Sequence, residues 1–137
     1  MTAVVQITDL RKVYGRTVAV DGVSLQVQEG EIFGILGPNG AGKTTTVECV
    51  AGLRRADSGR IRVLGLDPDL RHGPEFRALR ESVGMQLQNS AVPTKLTVRE
   101  VAAMYASFYR NPADPDALIT AVCLGVTEDT LNAEPNG

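Results

Sequence analysis

The stretch EIFGILGPNGAGKTTTVECVAGL, residues 31–53, decides how the chain is read. Its centre has the pattern G-x-x-x-x-G-K-T: Gly37, Pro38, Asn39, Gly40, Ala41, Gly42, Lys43 and Thr44. A phosphate chain is densely anionic and needs many donors at short range. Glycines let the backbone bend with φ > 0 and put no Cβ in the way, so successive N–H groups can converge on it. A helix starting near Gly42 adds its free N–H groups and the positive end of its dipole. Lys43 then reaches the β- and γ-phosphates, and the Thr44 hydroxyl holds Mg²⁺. That metal keeps most of its water, so one protein hydroxyl suffices. Ile32, Phe33, Ile35 and Leu36 predict a short strand buried on both faces before the loop. KTTTVECVAGL predicts a helix after it, stopped by Gly52.

Working outward, Val5, Ile7 and Leu10 predict an N-terminal strand with one buried face. TVAVDGVSLQVQEGE predicts two strands separated by a hairpin-type turn at Asp21-Gly22. Ile61 and Val63 mark a further strand. GPEFRALRESVG predicts a short helix with Pro74 in its first turn. VGMQLQ predicts a strand ending at Gln88. Thr97 and Glu100 form a capping-box pattern before a helix. Val101, Met104, Tyr105 and Phe108 make an apolar stripe on that helix, most of which is expected to pack against the rest of the domain. Asp114 and Pro115 open a last helix, with Gly125 available to end it. The fold class is therefore α/β, with an antiparallel β portion, a P-loop core and a helical appendage.

Composition fits this picture. The chain has 137 residues, 43% hydrophobic and 22% charged, with a net charge of −2. Such a balance points to no nucleic-acid or anionic-membrane partner. There is no apolar run of membrane-spanning length and no signal-peptide pattern. A cytoplasmic location is expected. Cys49 and Cys123 are far apart, and Cys49 reads as a small core residue of the first helix. His72 lies in a polar stretch without a second metal-ligand residue at suitable spacing, so it reads as a surface histidine.

The segment VDGVSLQVQEGEIFGILGPNGAGKTTTVECVAGLRRADSGRIRVLG resembles the nucleotide-binding domain of ATP-binding cassette (ABC) transporters, from Val5 to about Val126. GPNGAGKTT, the run from Gly52 to Gly65 and a Gln after the VG strand occur together and in order. VGMQLQNSAVPTKLTVREVAAMYASFY resembles bacterial drug and antibiotic exporters of the daunorubicin-resistance type. The resemblance implies ATP and Mg²⁺ as cofactors. It implies that Tyr14 stacks on adenine and that Val20 flanks the base; for Tyr14 the alternative is an ordinary edge aromatic. Asn39, Gly40, Ala41, Gly42, Lys43, Thr44 and Thr45 would hold the phosphates. Gln88 would touch Mg²⁺ or the attacking water, alongside Lys43 as a catalytic group; its alternative is a polar strand end. A separate membrane permease and a second nucleotide-binding subunit are the implied partners, with the chain peripheral to the inner face of the membrane.

The family's signature loop, its apolar strand ending in Asp-Glu and its switch histidine have no counterpart in these residues. The resemblance thus implies a domain truncated at its C-terminus: residues 1–126 as a partial ATP-binding domain and 127–137 as a polar tail. Hydrolysis in P-loop enzymes needs the metal-shell carboxylate and a water-orienting base as well as the loop. The expectation is an ABC-type ATPase subunit whose present residues bind ATP with little turnover. The alternatives are a nucleotide-binding module without turnover and an ABC ATPase that serves no transporter.

Overall fold

The computed structural model describes residues 2–86 and 96–122. It divides into two compact units, Met1–Met85 and Gln86–Gly137.

The first unit is built on a three-stranded antiparallel sheet. β1 spans Ala3–Tyr14, β2 Thr17–Gln28 and β3 Ser58–Val63, in the order β2-β1-β3. β1 and β2 join through Gly15 and Arg16, so that Tyr14 pairs with Thr17; Gly15 takes φ 58°. Asp21-Gly22, expected as a hairpin turn, instead lies inside β2. There the register jumps: Leu10 pairs with Val23 but Lys12 with Val20. Gly22, at φ 67°, absorbs the extra residue, which makes this a bulge and leaves one strand where two were expected.

A second irregularity explains the spacing of the apolar residues in β1. Ile7 and Leu10 are both buried although an odd number of positions separates them. Asp9 lies between them at φ 49°, and its N–H donates to Ser24 Oγ at 2.8 Å. The kink resets the alternation by one, so both side chains reach the same core. Gly59 of β3 passes so close that an ideal Cβ there would stand 2.4 Å from the Asp9 carbonyl oxygen.

α1, Lys43–Val50, covers one face of the sheet, and α2, Pro74–Ser82, contributes Leu79. Ile7, Leu10, Val20, Cys49, Ile61, Val63 and Leu79 form the core. Leu10 and Cys49 are fully buried. Burial raises the Cys49 thiol above its ordinary pKa, as a core residue requires. Pro74 sits in the first turn of α2, where its missing N–H costs nothing. His72 is exposed.

One expected element is absent from this unit. Residues 31–38 form no strand, and Ile32 and Leu36 are 101% and 95% exposed. A doubly buried strand needs a neighbour on each edge. The three strands described pair only with one another, so none of them pairs with this segment. Residues 83–86 are likewise outside any strand. The rest of the expected VGMQLQ strand, including Gln88, lies outside the described residues, as do Cys123 and Gly125.

The second unit contains α3, Val98–Ala106, and α4, Pro115–Val122. The capping box is formed: Glu100 N–H donates to Thr97 Oγ1 at 3.3 Å, and Thr97 N–H to Glu100 Oε2 at 2.8 Å. Asp114 accepts from Asp116 N–H at 3.1 Å at the start of α4. Arg99 and Asp116 bridge the two helices at 2.8 Å. The apolar stripe of α3 is only partly covered. Tyr105 and Phe108 meet edge-to-face with centroids 6.0 Å apart, and both are exposed.

Candidate phosphate-binding site

The loop 37–42 is held open by backbone conformations that glycine adopts freely. Gly40 has φ 84° and Gly42 φ 81°. Ala41 N–H donates to the Pro38 carbonyl at 3.2 Å, which closes a tight turn over Pro38, Asn39 and Gly40. All residues from 37 to 41 are exposed. Gly42 then caps α1 with no side-chain hydrogen bond to its free N–H groups, and the first turn carries no acidic residue. The positive end of the helix is therefore uncompensated by the chain itself, as an anion site needs.

Gly42 has a second function. An ideal Cβ there would stand 2.1 Å from the Ala19 carbonyl oxygen and 3.1 Å from Val20 Cγ2. The loop thus leans directly on β2. Val20, expected beside the base, is buried in the core behind Gly42. From there it packs under the glycine loop.

Lys43 lies at the start of α1, and its ammonium folds back across the loop. Nζ donates to the Gly37 carbonyl at 2.7 Å and the Pro38 carbonyl at 2.6 Å. Both acceptors are main-chain oxygens, so an anionic phosphate offers the ammonium stronger partners than those it holds. Thr44 is exposed in the first turn and Thr45 is half-buried. Thr46 is buried, and its hydroxyl donates to the Gly42 carbonyl at 2.9 Å. This threonine fixes the helix start, which leaves Thr44 as the exposed threonine hydroxyl of the turn. Among the described residues no group of three His, Cys, Asp or Glu could hold a metal. The single hydroxyl of Thr44 fits a Mg²⁺ that brings its own water and a nucleotide, not one caged by protein.

Tyr14 closes β1 and is 39% exposed. Lys12 Nζ lies 5.5 Å from the ring centroid and the Arg54 guanidinium carbon 5.3 Å. Each cation is tethered. Lys12 donates to Asp57 at 2.8 Å, and Arg54 Nε to Glu48 at 2.6 Å. Asp57 also accepts from Val13 N–H at 2.7 Å, and the Lys12 bond together with this one holds its carboxyl below the ordinary value. The Glu48 bond raises the Arg54 pKa further. Lys12 could be placed from the sequence, because it shares a strand face with Tyr14 two residues later. Arg54 carries no such signal; only the fold brings the end of the α1 region to the end of β1.

A strand hairpin, a glycine loop and a lysine at a bare helix N-terminus are the parts of a nucleotide-binding ATPase domain. Residues 20–134 match the ABC transporter family, and the chain belongs to it. It is 44% identical over 101 residues to the methionine import ATP-binding protein MetN of Rhizobium johnstonii, covering 74% of this chain and 28% of that protein. It is 38% identical over 128 residues to MetN of Geobacillus kaustophilus, covering 90% of this chain and 37% of the relative. The chain therefore spans roughly a third of each relative's length. Among solved structures, a dimeric ATP-binding cassette in a post-hydrolysis state bound to ADP and Pi superposes with a TM-score of 0.77 at 25% identity, over 96% of this chain and 62% of that one. The structure of an ATP-binding subunit of an ABC transporter superposes with a TM-score of 0.67 at 24% identity, over 78% and 43%, and shares the fold. The names of the relatives speak of import, and do not support the drug-exporter likeness of residues 83–109. Among the described residues no helix is long and apolar enough to cross a membrane.

Proposed function

We propose that the chain is the nucleotide-binding portion of an ABC transporter ATPase subunit. The observation that carries this reading is the Lys43 ammonium poised over the glycine loop on two replaceable carbonyls, at a helix N-terminus free of acid. In this reading the N–H groups of residues 39–45 and Lys43 take the phosphates of ATP. Thr44 takes Mg²⁺, Tyr14 stacks on the adenine, and Val20 flanks the base. Gln88 contacts the metal or water. The work is done on a separate membrane permease at the inner face of the membrane, with a second nucleotide-binding subunit completing each site. Mg²⁺ supplies charge neutralisation of the β- and γ-phosphates when bound. The protein's own share is positioning: loop amides and ammonium fix the phosphate oxygens, and the ring fixes the base.

The transported substrate is selected by the permease, so residues that only handle nucleotide carry no signature of it. The relatives' names favour an import system, methionine being their cargo; the likeness of residues 83–109 favours an exporter. Reconstitution with each candidate permease, followed by vesicle uptake and efflux of labelled cargo, separates the two. The ATP reading itself is tested by calorimetry on the wild type, Tyr14→Ala and Tyr14→Trp. Stacking predicts that Tyr14→Ala loses about 1–3 kcal/mol and that Tyr14→Trp retains affinity. Equal losses in both variants would make Tyr14 a structural residue.

A further inference from the structure

Tyr14 is not a bare ring waiting for a base. Arg54 and Lys12 both lie on it, at 5.3 and 5.5 Å from its centroid. The two cations are held differently. The Lys12 side chain is only 15% exposed, and its Nζ bonds to Asp57 at 2.8 Å beside the Val13 N–H that binds the same carboxylate. The Arg54 side chain is 42% exposed and is anchored by Glu48, itself near the end of α1. Lys12 is built into the strand face, whereas Arg54 reaches the ring from a connection and can leave it without breaking a sheet contact.

From this we infer that Arg54 gates the base subsite: a nucleobase reaching Tyr14 displaces the Arg54 guanidinium from the ring. The inference rests on the stacking role proposed for Tyr14. An aromatic face accepts one planar group at a time at contact distance. A solvent-exposed cation on a ring is a weak interaction, and a stacked base is a stronger one, so the base prevails. The Glu48 bond keeps the displaced guanidinium on a tether, ready to cover the ring again when the base departs.

The test measures binding of ATP and of inorganic tripolyphosphate to the full chain by calorimetry, for the wild type, Arg54→Ala, Arg54→Gln and Tyr14→Ala. Tripolyphosphate has no base and reports the phosphate loop alone. The expected result is ATP binding about two- to five-fold tighter in both Arg54 variants, the range for an exposed cation–ring contact, with tripolyphosphate affinity unchanged. A merely structural role for Arg54 would move both ligands together. Arg54→Gln retains the reach to Glu48 and guards against local collapse in Arg54→Ala. Unchanged or weaker ATP binding in Arg54→Gln, with Tyr14→Ala still weakening ATP, overturns the gate and leaves the stacking role standing. Unchanged ATP binding in Tyr14→Ala overturns the stacking role, and the gate with it.

Discussion

Lys43 Nζ lies 2.7 Å from the carbonyl oxygen of Gly37, so the lysine that opens α1 clasps the residue that opens the loop. A phosphate that takes over the ammonium must break this clasp and the one to Pro38. Neutral carbonyl acceptors are exchanged for an anion, which favours the ligand. Lys43→Ala is expected to weaken Mg-ATP and tripolyphosphate alike by about 1.5–3 kcal/mol. Calorimetry checks it, and equal affinities for variant and wild type would remove Lys43 from the site.

Two glycines of the loop should respond differently to the same substitution. Gly40 has φ 84° with nothing within 4 Å of an added Cβ. Gly40→Ala should therefore cost only the backbone strain, about 1–3 kcal/mol. Gly42 has φ 81° and would place a Cβ 2.1 Å from the Ala19 carbonyl oxygen. Gly42→Ala must push the loop off β2 as well and should destabilise clearly more. Urea denaturation of both variants provides the comparison; equal midpoints would contradict the close approach to β2.

Acid should loosen the end of β1. The Asp57 carboxyl is held below its ordinary value of 3.8, first by Lys12 and then by the Val13 N–H. A depressed carboxylate stabilises the fold above its unfolded pKa, and that stability is lost as pH falls through the folded value. The wild type should therefore lose stability below about pH 4. Asp57→Asn should start less stable at neutral pH and lose less on acidification. Thermal melts from pH 7 to pH 2.5 measure the difference between the two curves.

The 137-residue chain by itself is expected to bind ATP without useful turnover. In the proposed reading Lys43 and Thr44 position phosphate and metal, but the sequence contains no apolar strand ending in Asp-Glu and no signature loop. Positioning groups without those parts leave most of the barrier in place. Phosphate release should match that of Lys43→Ala. Lys43-dependent turnover near one per second, within the ordinary enzyme range, would identify a carboxylate elsewhere in the chain as the base.

Local rules made much of this molecule legible. The capping box at Thr97 and Glu100, Pro74 at the start of α2 and the glycine loop running into α1 each depend on a few neighbouring residues, and each forms as read. The failures are of two physical kinds. Asp21-Gly22 satisfies the chemistry of a tight turn, but the same positive φ also serves a bulge, and pairing with β1 decided between them. Residues 31–37 have the composition of a buried strand, but burial is supplied by neighbours, and the described residues leave Ile32 and Leu36 open to solvent. At the candidate site, the loop and Lys43 were readable from spacing. The Arg54–Tyr14 contact was not, since it joins residues 40 positions apart through the packing of α1 on the sheet.

The two limbs of the glycine loop are secured unequally. The trailing limb is clamped: Gly42 rests on Ala19, Thr46 is buried and Cys49 is sealed in the core. The leading limb, with Ile32 and Leu36 turned to solvent, pairs with no strand among the described residues. The socket is a vice with one fixed jaw. A nucleotide that closes on it must also set the other jaw, and the conformational entropy lost there subtracts from the affinity its contacts would otherwise give. Covering residues 31–37 would thus tighten nucleotide binding without adding a single contact to the phosphates.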